Sequence, residues 1–66
     1  MKIGMKIKLE RIKREIKQSD LAKRLSITPQ YLRLIEKGDV DLRYNLLSSI
    51  SRELDIPMSY LISEEE

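Results

Sequence analysis

Sixty-six residues without cysteine or histidine form one small domain, 1–66, and exclude disulfides, the usual zinc frameworks and nucleophilic triads built on His or Cys. Lysines interrupt the N-terminal stretch every few positions and no apolar run reaches bilayer length, so a soluble cytoplasmic protein is expected. The net charge of +2 conceals a division: residues 1–37 carry 11 Lys/Arg against 4 Asp/Glu, a balance of +7, whereas residues 38–66 carry 2 against 7, a balance of −5. The basic part can attract a polyanion, because local charge sets the field at a contact surface.

The first segment carries two overlapping patterns. Ile3, Met5, Ile7 and Leu9 alternate with polar residues as in a strand, whereas Met5, Leu9, Ile12 and Ile16 follow the i, i+4, i+7, i+11 spacing of one helix face. A helix from about Met5 is favoured, since the surrounding Lys and Glu are good helix formers and a lone strand needs a partner edge. An intermolecular strand pair stays open as the alternative.

Gln18 opens a second helix in which Leu21, Ala22 and Leu25 share one face. Ser26 and Ile27 interrupt it. Thr28 is a good N-cap and Pro29 suits the first helical position, so a third helix starts there and runs until Gly38 stops it. Residues 18–37 thus read as a helix-turn-helix. Beyond the loop Asp39–Leu42, with Asp41 as candidate cap, Leu46, Leu47, Ile50 and Leu54 recur at helical spacing. Asp55 tolerates a left-handed cap, and Pro57 starts a last short helix through Leu61. Glu64 to Glu66 are expected to be a frayed acidic tail. The predicted fold is all-α, a compact five-helix bundle around one core.

Within the third helix, Leu32 and Ile35 are the natural inward residues, with Tyr31 at the margin. Gln30, Arg33, Leu34 and Lys37 fall at i, i+3, i+4 and i+7 and form one outward stripe. In a DNA major groove Gln pairs bidentately with adenine and Arg with guanine, and an exposed apolar side chain meets a thymine methyl. A solvated polar face with one exposed leucine is the plainer reading of the same residues.

The chain resembles the lambda-repressor/Cro-like helix-turn-helix (XRE-type) family of bacterial and phage transcriptional regulators over nearly its whole length. The resemblance rests on Gln18, Leu21, Ala22, Leu25 and Ile27, then Leu32, Ile35, Glu36 and Gly38, then Leu47, Ile50, Leu54, Ile56 and Leu61, in ungapped register. Upstream, Gly4, Ile7, Arg11 and Ile16 fit too, although Glu10 stands where the family usually has an apolar residue. The resemblance implies that the third helix reads the major groove while Gln18 holds the DNA backbone, helped by helix N-terminal amides. Expected DNA contacts are Lys17, Gln18, Thr28, Pro29, Gln30, Tyr31, Arg33, Leu34, Lys37 and Arg43, with Tyr31 either at the phosphate boundary or simply at the core edge. Arg11 and Glu36 match a structural ion pair of the family, with Lys13 the rival partner if the first helix is shifted. Ala22 lets the two motif helices cross closely.

Four departures from that pattern have physical consequences. Ser26 replaces the usual turn glycine, and a left-handed Ser would strain the turn. Lys17 replaces the usual Ser/Thr cap. Glu15 replaces a customary glycine, so the first helix is expected to run on. Asp39 and Asp41 occupy a loop that is frequently basic in the family and should weaken contact with phosphate.

A DNA-binding transcriptional regulator, most simply a repressor that occupies a palindromic operator as a homodimer, is the leading expectation. Phage, restriction-controller and antitoxin types all fit. The alternative is a protein-interaction module acting through the acidic C-terminal half, with a toxin-type or antirepressor-type partner. Leu46, Met58, Tyr60, Leu61 and Ile62 form the candidate dimer interface, against a reading in which they only cap the core. No cofactor or metal is expected. An enzyme is disfavoured because no carboxylate or lysine falls in a catalytic spacing.

Overall fold

The computed structural model describes residues 2–63, and the expected tail at Glu64 to Glu66 lies outside them. Five helices follow one another: α1 (Ile3–Lys13), α2 (Gln18–Arg24), α3 (Pro29–Lys37), α4 (Tyr44–Leu54) and α5 (Met58–Ile62), with no strand among the described residues. The strand alternative for the first segment is therefore set aside. Ile7, Leu21, Ala22, Leu32, Ile35, Ile50, Leu54 and Leu61 are sealed from solvent at the centre, and Leu25 and Leu47 complete the core. This aliphatic set supplies the burial that offsets chain entropy in so short a chain.

Four of the helices end in the same way. Glu15, Ser26, Gly38 and Asp55 all have left-handed backbones, at φ 56°, 60°, 86° and 55°. At each, the following residue donates its N–H back to a carbonyl five positions earlier: Ile16 to Arg11, Ile27 to Ala22, Asp39 to Leu34 and Ile56 to Ser51. This is the Schellman arrangement, which satisfies carbonyls that a helix end would leave orphaned. Ile16, Ile27 and Ile56 then pack against the core, as the residue after such a cap commonly does. At the last of these turns the Ser51 hydroxyl also donates to the Ile56 carbonyl.

α1 corrects three expectations. It starts at Ile3 rather than Met5, and it stops at Lys13 because Glu15 adopts the left-handed conformation a glycine would take, instead of extending the helix. Its inward face is also the other one. Gly4, Lys6, Ile7, Glu10 and Arg11 are buried, whereas Met5, Leu9 and Ile12 are 44, 43 and 51 % exposed. Gly4 dictates this choice: a Cβ there would collide with the Ile35 carbonyl oxygen and stand 2.8 Å from that of Glu36, so only glycine lets α1 lie directly on the backbone of α3.

Two further caps differ from expectation or extend it. Arg43, not Asp41, is the N-cap of α4, and it makes no side-chain capping bond. Lys6, only 2 % exposed, donates to the carbonyls of Tyr60 and Ser63 at 2.7 Å each and to the Ser63 hydroxyl at 2.9 Å. The ammonium thus closes the C-terminal end of α5, where a cation is favoured by the helix dipole, and lies 4.8 Å from the Tyr60 ring centroid.

Candidate nucleic-acid interface

The sequence of the third helix carries its own start and stop signals, and both operate. The Thr28 hydroxyl accepts the Tyr31 N–H at 3.0 Å, Pro29 occupies the first turn, and Gly38 ends the helix. Leu32, Ile35 and Glu36 turn inward, so Gln30, Arg33, Leu34 and Lys37 are left together on the exposed side. The stripe read from the sequence is therefore one continuous surface. Leu34, 39 % exposed, sits within it, and Tyr31, 37 % exposed, stands at its margin.

Residues around this stripe are also accessible. Lys17, Thr28, Pro29 and Arg43 are exposed, Lys17 as the N-cap of α2 without a side-chain capping bond. Asp39 and Asp41 are exposed in the loop that follows α3. The Asp39 carboxylate stands 3.8 Å from the Lys37 ammonium and so draws on part of the stripe's positive charge.

Behind the stripe lies a charged network that joins three helices. Arg11 of α1 donates through Nε and Nη2 to the two carboxylate oxygens of Glu36 at 2.7 and 3.1 Å, and through Nη1 to the Ile16 carbonyl at 2.9 Å. Gln18 of α2 donates its side-chain amide to Glu36 Oε1 at 3.1 Å. Glu36 thereby has its oxygens occupied although its side chain is only 3 % exposed, which is the condition for tolerating a buried charge.

The bond from Gln18 to Glu36 has no signal in the sequence, since it links positions 18 residues apart on different helices. It fixes the orientation of the Gln18 amide. The amide carries a second N–H, which remains the group able to donate to a phosphate. Lys13, the rival partner for Glu36, instead approaches Glu10 at 3.4 Å, and Arg14 binds Glu10 at 2.6 Å. The Arg14 hydrogen bond, aided by Lys13, holds the Glu10 carboxyl below its ordinary value against the opposing effect of burial. That pairing explains how an acid occupies a position where an apolar residue was expected.

The candidate dimer residues separate into three groups. Ile62 is 53 % exposed, while Leu46, Met58 and Tyr60 are half-buried against the core. Leu61 is fully buried and belongs to the core rather than to an interface. Tyr44, 72 % exposed at the start of α4, is not among the residues expected from the sequence and adds aromatic surface beyond them.

A helix-turn-helix family model matches residues 7–61. Among solved structures, the chain is similar to the P22 c2 repressor protein in complex with synthetic operator 9T, with a TM-score of 0.89 at 22% identity over 98% of each chain. It is similar to SinR in complex with DNA, described as the master regulator for biofilm formation, with a TM-score of 0.83 at 27% identity over 92% of this chain and 98% of that one. A complex of SinR with SinI gives a TM-score of 0.86 at 28% identity, covering 94% of this chain and 61% of the other. No curated protein matches the sequence.

Proposed function

Because the chain belongs to the helix-turn-helix family, of the lambda-repressor/Cro-like kind that its sequence resembles, we propose that it is a double-stranded-DNA-binding transcriptional repressor. The observation that carries this reading is the exposed stripe of Gln30, Arg33, Leu34 and Lys37 on the second helix of the motif. A glutamine and two cations there can reach base edges and phosphates once the helix enters a major groove. Lys17, Gln18, Thr28, Tyr31 and Arg43 surround the stripe and serve as positioning contacts to the backbone, which set register without reading sequence. No covalent chemistry is required, and the protein represses by occupying its site.

A homodimer on a palindromic operator fits a reading surface this small, since two half-sites a helical turn apart add both affinity and specificity. Ile62, with the flanks of Met58, Tyr60 and Leu46, supplies the self-complementary patch in this reading, and the protein works in the cytoplasm. No helix among the described residues is long and apolar enough to cross a membrane. The DNA complexes of the P22 c2 repressor and SinR support the assignment.

Titration into a fluorescent random-sequence duplex at rising salt tests the polyanion contact. Log affinity should fall linearly with log salt, by about 0.9 per phosphate neutralised, and an R33A/K37A variant should bind more weakly with a shallower slope. Binding that ignores both salt and these substitutions contradicts the reading.

A further inference from the structure

α1 is amphipathic twice over. Gly4, Ile7 and Arg11 face the core, while Met5, Leu9 and Ile12, at i, i+4 and i+7, form an apolar line on the opposite, solvent side. That line is bordered by the exposed Lys2, Lys8 and Lys13. At its N-terminal end Met5 also lines a shallow groove of about 270 Å³ between α1 and the end of α3, whose other walls are Lys2, Gly4, Glu36, Lys37 and Gly38. The Glu36 carboxylate is already taken up by Arg11 and Gln18, so Lys2, together with Lys37, which shares its charge with the exposed Asp39 at 3.8 Å, supplies the positive charge of this groove.

We propose that Met5, Leu9 and Ile12, together with the Lys2/Lys37 groove, dock an acidic amphipathic helix of a partner protein. Charge selects this occupant. A second copy of α1 laid antiparallel on the first would set Lys8 against Lys8 and Lys2 against Lys13, a like-charge juxtaposition that specific interfaces avoid. The apolar line is also only about 10 Å long at the rise of an α-helix, room for about two turns of a docked helix but too little for the roughly 800 Å² that each partner of a stable homodimer buries. A short helix with leucine-type residues at i, i+4 and i+7 matches the line, and glutamates on its flanks match the lysine borders and the groove. Lys37 belongs to the stripe on α3 as well, so the docked helix draws on a cation of the DNA-facing surface.

The test contains no DNA and therefore stands or falls apart from the repressor reading. Nitrogen-labelled protein is titrated with a synthetic amphipathic helix carrying leucines at i, i+4 and i+7 flanked by glutamates, and with a twin in which every glutamate is lysine. Amide shifts should concentrate around Met5, Leu9, Ile12 and Gly38, and the glutamate peptide should bind at least about tenfold tighter than its twin. A double substitution of exposed residues, L9Q/I12Q, should lower the affinity by about tenfold or more while leaving thermal melting unchanged. Equal affinity for both peptides, or shifts confined to α5, overturns the proposal. So does a concentration-dependent dimer in sedimentation that L9Q/I12Q dissolves, which would make the line a self-association surface.

Discussion

Arg11 and Glu36 meet as a two-pronged ion pair, Nε to Oε2 at 2.7 Å and Nη2 to Oε1 at 3.1 Å, with side chains only 11 and 3 % exposed. The pair ties α1 to the back of α3, and the Gln18 amide ties α2 to the same carboxylate. One buried acid thus sets the mutual orientation of the three helices that present the surface. Removing one partner strands the other charge, so Glu36→Gln should cost about 3 kcal/mol, read by urea denaturation. Arg11→Lys should recover little, because an ammonium cannot reproduce the planar fork. Near-wild-type stability for Glu36→Gln would mean that the pair does not organise the fold.

The left-handed caps at Glu15 and Ser26 carry side chains where glycine fits without strain. Glu15→Gly and Ser26→Gly should each raise stability by about 1 kcal/mol through relief of the Cβ clash, partly offset by greater freedom of the unfolded chain. Both variants should melt higher than the wild type in calorimetry. A lower melting temperature for either would mean that its side chain contributes more than its backbone strain costs.

Acid should weaken the fold through Glu10. Its carboxyl titrates below the ordinary value of 4.5 in the folded protein because Arg14, and then Lys13, stabilise the anion. A depressed folded value means that the stabilisation is fully present above the unfolded value and is lost as pH falls through the folded one. Unfolding free energy should decline below about pH 4.5, and Glu10→Gln should flatten that decline. An identical acid slope in the variant would show that Glu10 contributes nothing to it.

The loop after α3 offers a way to strengthen DNA binding without changing what is read. Asp39 lies 3.8 Å from Lys37 and adds negative charge beside the stripe. Asp39→Lys frees Lys37 and supplies a cation of its own. Affinity should rise alike for all duplex sequences, with the salt slope steepening by about 0.9 for each additional phosphate neutralised. Altered sequence preference would show instead that Asp39 reads bases.

Much of this molecule is legible in the residues, and what escapes does so for definite reasons. α3 has the bounds expected of it because Thr28, Pro29 and Gly38 signal locally. The Arg11–Glu36 pair follows from the family resemblance and is present in the structure. α1 misleads because its apolar residues lie on two opposite faces, so the exposed Met5, Leu9 and Ile12 imitate a core stripe. What decides the true face is the close approach of Gly4 to α3, a contact that periodicity does not encode. Glu15 hides the end of α1 because a helix-favouring residue occupies the left-handed position, and Asp41 looks like a cap although the helix starts later, after Arg43. The buried Lys6 and the Gln18–Glu36 bond depend on elements distant in sequence, and single-residue preference is silent about such partners.

Reading of DNA by α3 is tested by selecting binding sites from a random duplex pool at near-physiological salt. An enriched inverted repeat is expected, with base preferences that change when Gln30 or Arg33 is replaced by alanine. A pool that emerges without sequence preference, from wild type and variants alike, would contradict reading of DNA by this helix.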